Sequence, residues 1–152
     1  MPLSSELIAA YEKALYVVFG EPELVLRIGE PSPDLDELLQ AEGAHTAAFV
    51  SAANRRGERR SAWENEIATA ALHQTQTDAG YVCYAGEGRD PQGKWEAEPS
   101  MLIVGISRAD AEAVGRVFEQ NAIVFAEKGR APELVVLAEW NMSFRGRRPR
   151  NL

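Results

Sequence analysis

The stretch from Thr46 to Ala79 most constrains what this chain can fold into. An apolar, β-prone run, Thr46-Ala47-Ala48-Phe49-Val50, is followed after a short polar interval by a helix start, Ser61-Ala62-Trp63-Glu64-Asn65-Glu66. Between them lie Ser51-Ala52-Ala53-Asn54 and an arginine loop, Arg55-Arg56-Gly57-Glu58-Arg59-Arg60. A strand that turns into a helix commits the chain to a sheet with helices packed on it. It also crowds polar and charged groups at a strand-to-helix corner, where such folds commonly bind ligands.

The rest of the chain supplies the scaffold. Residues 4 to 19 carry Leu7, Ile8, Tyr11, Leu15, Val18 and Phe19 at helical spacing, with a serine cap before them and Gly20 as the stop. Glu23 to Ile28 predicts a first strand. Ser32, Pro33, Asp34 and Asp36 open a second helix whose buried stripe is Leu35, Leu38 and Leu39, and Gly43 closes it. The helix after Ser61 presents Trp63, Ile67, Ala70 and Ala71 on one side and stops at Gly80. Tyr81 to Ala85 reads as a strand. Asp90-Pro91-Gln92-Gly93 fits a type I turn, returning along a strand around Met101 to Ile106. Ser107 caps a last helix with Ala113, Val114, Val117 and Phe118 on one face, and strands follow at Ala122 to Ala126 and Leu134 to Leu137. The expected fold is α+β: a single domain over residues 1 to 140, with a mixed β-sheet of about five to six strands and helices packed on it. Residues 141 to 152 form a polar, Arg-rich C-terminal tail.

Composition narrows the function classes. A length of 152 residues suits one hydrophobic core, and 45% hydrophobic with 26% charged residues is ordinary for a globular protein. No apolar run is long enough to span a bilayer, and the N-terminus lacks a secretory pattern, so a cytoplasmic protein of bacterial type without membrane association is expected. The lone cysteine, Cys83, excludes a disulfide framework, and His45 and His73 lack metal-ligand spacing; neither a metal nor a cofactor is expected. Net charge is −7, yet eight of the 16 Lys and Arg sit at Arg55, Arg56, Arg59, Arg60, Arg145, Arg147, Arg148 and Arg150. The acidic body therefore disfavours nucleic-acid binding, which is left to the tail.

Candidate chemistry centres on the corner. Arg55, Arg56, Arg59 and Arg60 before a helix N-terminus could draw in a small anionic molecule, although runs of charge are usually solvated. Glu64 or Glu66 could act as an acid or base, but Glu64 stands in capping-box relation to Ser61, which explains it locally. Asn65 has no such local role; if it faces inward its amide needs partners, which Asn54 or Gln120 could supply. Gln120-Asn121 reads equally as a helix-terminal turn or as a polar wall facing Asn54. An amide-lined site built from Asn54, Asn65, Gln120 and Asn121 favours hydrogen-bonding recognition over strong acid–base chemistry.

Phe49-Val50-Ser51-Ala52-Ala53-Asn54, Glu64-Asn65, Gly105-Ile106-Ser107 and Gln120-Asn121-Ala122-Ile123-Val124, in this order, resemble the bacterial family called domain of unknown function 3293. The resemblance spans roughly residues 8 to 138. The family pattern tends to place a proline directly after the asparagine, where this chain has Arg55. The resemblance carries no established activity, and implies that Asn54, Glu64, Asn65, Gln120 and Asn121 are the positions of interest.

Overall fold

Residues 3–137 are described by a computed structural model, and the segment 138–152, including the Arg-rich tail, lies outside them. Helix α1, Ser5–Lys13, starts where the Ser4 hydroxyl accepts the Leu7 N–H at 3.1 Å and ends at Ala14, which is extended. The predicted continuation of this helix to Phe19 is incorrect: Leu15–Val18 is strand β1. Tyr16, Val17 and Val18 are all buried. Three consecutive buried side chains, two of them β-branched, suit a strand covered on both faces better than a helix with one apolar stripe.

The remaining elements are β2 (Leu24–Leu26), α2 (Pro33–Glu42), β3 (Thr46–Ser51), α3 (Ala62–Asp78), β4 (Val82–Arg89), β5 (Glu98–Val104), α4 (Arg108–Val117), β6 (Ala122–Glu127) and β7 (Glu133–Val136). The seven strands form one curled sheet in the order β2-β1-β4-β5-β3-β6-β7. The α+β class and the single domain of helices on a sheet match expectation. The sheet itself differs, with seven strands in place of five or six and antiparallel pairings throughout in place of a mixed sheet. Neither β3-α3-β4 nor β5-α4-β6 joins neighbouring strands, because β5 lies between β3 and β4, and β3 lies between β5 and β6.

Strand alternation divides the core in two. Ala48 and Val50 of β3 point to the face covered by α3 and α4, where Ala68, Leu72, Ala111 and Phe118 meet them. Ala47 and Phe49 point to the opposite face, with Tyr16, Leu35, Leu39 and Leu102. The local signals for α2 are as expected: the Ser32 hydroxyl accepts the Leu35 N–H, Pro33 opens the helix, and Gly43 closes it in left-handed geometry at φ 68°. The Asp90 carbonyl accepts the Gly93 N–H at 3.0 Å, closing the expected turn between β4 and β5.

Two helices are rotated from their predicted stripes. In α3 the buried residues are Ala68, Leu72 and Gln76, while Trp63 is 70% exposed and Ile67 53%. In α4, Ala111 and Gly115 face the sheet and Val117 is 70% exposed. A side chain at Gly115 would meet the Leu137 Cδ1 at 2.5 Å, so small residues set which face packs. None of the helices among the described residues is long and apolar enough to cross a membrane.

Gly86 of β4 stands opposite Val18 of β1 in the ladder. A Cβ there would lie 2.0 Å from the Val17 carbonyl oxygen, a backbone atom that cannot swing aside. Gly88, two residues along the same strand, has open space at the same position. Gly86→Ala is expected to lower the unfolding free energy by about 3 kcal/mol in chemical denaturation, and Gly88→Ala to change it by about 0.5 kcal/mol. Equal effects of the two substitutions would contradict this account of the β1–β4 contact.

Candidate functional site

Directly after β3 the chain reverses through residues in left-handed geometry. Asn54 has φ 49°, Arg56 φ 59° and Gly57 φ 75°, within a short 3-10 turn over Arg55–Gly57. Asparagine tolerates this region better than most residues; arginine does not, so surrounding contacts must hold the loop. On one side the loop is tied to the head of α3. The Asn54 N–H donates to Asn65 Oδ1 at 2.9 Å, Asn65 Nδ2 donates to Asn54 Oδ1 at 3.1 Å, and the Arg60 N–H donates to the same oxygen at 2.9 Å.

On the other side the loop docks on the end of α4. The Arg56 N–H donates to the Glu119 carbonyl at 2.7 Å, and its guanidinium meets the Glu119 carboxylate at 3.1 Å. Arg55 stacks its guanidinium 5.9 Å from the centre of the Phe118 ring. Gln120 is buried, and its Nε2 donates to the carbonyls of Ala53 and Phe118, both at 3.1 Å. The left-handed turn at the end of α4 falls on Glu119, φ 54°, one residue before the expected Gln120-Asn121 pair.

Between these two corners and α1 lies a cavity of about 70 Å³, lined by Tyr11, Tyr16, Phe49, Asn54, Glu98, Gln120 and Asn121 among others. It adjoins an open groove of about 400 Å³ formed by Leu7, Ala10, Arg59, Lys94 and Glu96. Tyr11, Asn54, Gly57, Trp95 and Glu98 line both. Glu98 begins β5 and shares alternation with Leu102 and Val104, which belong to the core beneath α2. Its carboxylate is thereby aimed at the cavity side of the sheet. Glu98 Oε2 accepts from Asn54 Nδ2 at 2.7 Å. The Tyr11 hydroxyl accepts from Asn121 Nδ2 at 3.1 Å, leaving its own proton to donate elsewhere, and the Tyr16 hydroxyl donates to the Tyr11 carbonyl at 2.5 Å. A Cβ on Gly57, which has φ 75°, would sit 2.6 Å from Asn121 Nδ2, so a larger residue here would have to displace that amide.

Burial sets the electrostatics. It raises the Glu98 carboxyl above the usual carboxylate range, and the Asn54 hydrogen bond offsets part of that rise. Burial also raises the Tyr11 phenol; the Asn121 bond opposes it and the Glu98 charge adds to it. A carboxyl lifted by desolvation inside a concave site is a functional candidate.

The residues singled out in the sequence therefore separate. Asn54, Gln120 and Asn121 line one cavity, while Asn65 stands behind Asn54 on the α3 side. Asn65 finds its partner in Asn54. Glu64 completes the capping box with Ser61, and the Ser61 backbone N–H bond, followed by its hydroxyl, lowers the Glu64 carboxyl. Glu66 is exposed on α3. Arg59 pairs with Glu96 at 3.3 Å and Arg60 with Glu58 at 2.9 Å, so Arg56, Arg59 and Arg60 all meet carboxylates of the chain itself. Glu98, Tyr11, Tyr16 and Trp95 were not singled out. Elsewhere, Cys83 packs against the core and burial raises its thiol, and no cluster of metal-ligating side chains occurs among the described residues.

Two measurements check this geometry. Asn65→Ala leaves the Asn54 N–H without its acceptor and is expected to cost about 2 kcal/mol of stability by denaturant titration. Because the Glu98 carboxyl is raised in the folded protein, its stabilising contribution is complete below the ordinary glutamate range and is lost as pH rises through the raised value. Glu98→Gln cannot ionise, so its melting temperature should exceed that of the native protein by about 2 °C at pH 8, with the gap closing towards pH 4. A gap that widens on acidification would contradict the assignment.

No curated protein and no solved structure matches the chain. The family comparison covers the end of β3, the Asn54 corner, α3, β4, β5, α4 and the Gln120-Asn121 corner, a narrower span than the roughly 8 to 138 expected. It includes Glu98 but neither Tyr11 nor Tyr16. Residues 50–123 match the family model described as "Protein of unknown function (DUF3293)".

Proposed function

We propose that this protein binds a small polar ligand in the cleft between α1 and the Asn54 and Gln120-Asn121 corners. The observation that carries this reading is the Glu98 carboxylate, held by a neutral amide in a cavity that opens onto a larger groove. A half-buried carboxylate that meets no cation among the described residues costs folding free energy. Its placement beside the Tyr11 hydroxyl gives a ligand both an acceptor and a donor. The inner cavity of about 70 Å³ has room for about two water-sized groups, so it suits a small head group, with the remainder of the ligand in the groove.

The anionic alternative places its weight on Arg55, Arg56, Arg59 and Arg60. Their pairing with Phe118, Glu119, Glu96 and Glu58 makes them braces of the corner. A second reading is an enzyme at the same place. It draws on Glu98, whose raised carboxyl beside a phenol fits acid–base work better than the capping Glu64 or the exposed Glu66. An interaction function for the Arg-rich tail concerns residues outside those described.

The binding reading predicts that fragments from a chemically mixed panel shift the amide resonances of Asn54, Gly57, Glu98 and Asn121 in a titration followed by NMR. Trp95→Ala, which removes a wall common to both cavities, should weaken those hits about tenfold. Hits confined to other surfaces, or none at all, would sink the proposal.

A further inference from the structure

We infer that the cleft selects a cationic nitrogen head group, an organic ammonium or guanidinium, carried on a short apolar chain. The inference rests on the binding reading above and adds the charge of the ligand. Glu98 Oε2 is taken by the Asn54 amide, whereas Oε1 has no donor among the described residues, and the Glu98 side chain lines the cavity. Four aromatic side chains line the same cavity beside its amides: Tyr16 and Phe49 stand edge to face with centroids 5.4 Å apart, and Tyr11 and Trp95 are shared with the groove. A carboxylate that shares its cavity with aromatic rings suits a cation, since ring faces attract positive charge and the half-buried carboxylate gains a counter-charge. An anion would meet the same carboxylate without a cation in the inner cavity lining to offset it.

The groove accounts for the chain. Leu7, Ala10 and Trp95 give it apolar surface, while Lys94, Arg59 and Glu96 occupy its rim. An alkyl chain leaving the cavity between Tyr11 and Trp95 would run along this apolar surface. Ammonium and guanidinium heads share the chemistry that Glu98 reads; the flat guanidinium matches a carboxylate edge and stacks on rings, and the compact ammonium needs less of the cavity.

Four probes of equal chain length separate the outcomes: n-butylammonium, n-butylguanidinium, butyrate and butan-1-ol, each titrated into the ¹⁵N-labelled full chain. The two cations are expected to shift the Asn54, Gly57 and Glu98 amides saturably, and to bind about tenfold more tightly than butan-1-ol. Glu98→Gln should abolish that preference, and its melting temperature reports that the variant is folded. Binding of butyrate or butan-1-ol at these amides as tightly as the cations would overturn the charge assignment and leave the ligand cleft standing. No shift at these amides with any of the four would overturn both.

Discussion

The candidate site depends on the docking of two chain reversals, residues 53 to 57 and 118 to 121. Neither is a favourable turn by itself, since Asn54, Arg56 and Glu119 all sit at positive φ without being glycine. Each supplies what the other lacks. The Arg56 N–H finds the Glu119 carbonyl, the buried Gln120 amide finds the Ala53 carbonyl, and the Arg55 guanidinium covers Phe118. Strained backbone persists where surrounding contacts over-determine it, and such places cluster at functional sites. Here the strain fixes the end of β3 against the start of β6, and the cavity is the space left between that joint and α1.

Asn54 is the residue on which both sides of the sheet meet. Its Oδ1 serves the α3 side, through Asn65 and the Arg60 N–H, and its Nδ2 serves the α1 side, through Glu98. A side-chain amide suits this position because it offers an acceptor and a donor at opposite atoms. An aspartate there would set a second carboxylate oxygen against Glu98 and repel it. Asn54 is thus more than one member of a polar wall: it is the part that ties the Glu98 carboxylate to the fold.

Much of the scaffold was legible in local chemistry. Ser32, Pro33 and Gly43 delimit α2, Ser61 with Glu64 opens α3, and Asp90 to Gly93 turns between β4 and β5, because each acts within a few residues of itself. A polar wall of Gln120-Asn121 facing Asn54 was one of two readings of that pair, and Asn54 one of two partners offered for Asn65; the other, Gln120, bonds the Ala53 and Phe118 carbonyls instead. What escaped was decided by tertiary packing. Leu15 to Val18 fits a helical period as well as a strand, and only its burial on both faces separates the two. Glu98 escaped for a related reason. With β5 begun near Met101, the alternation that aligns Glu98 with Leu102 and Val104 was not extended back to it, and the apolar pattern alone gives no sign of a carboxylate at the strand's start. The arginines suggest an anion site by their number, whereas their contacts are set by the fold: Arg56 and Arg59 meet carboxylates distant in sequence, Arg60 meets the nearby Glu58, and Arg55 covers Phe118.

The strand order has a bearing on how the molecule is made. β3 lies between β5 and β6, so both of its neighbours follow it in the chain by dozens of residues. During synthesis from the N-terminus, Thr46–Ser51 is complete long before Glu98–Val104 or Ala122–Glu127 exists to pair with it. Its apolar run, Ala47 to Val50, must wait as an unpaired edge, and the Asn54 reversal cannot lock until Glu119 and Gln120 arrive. Non-local pairing of this kind slows folding, because loops must close before any contact compensates their entropy. The cleft therefore cannot close before Glu119 to Asn121 are made, and a chain that stops short of β6 would carry Glu98 and Asn54 without the joint that makes them a site.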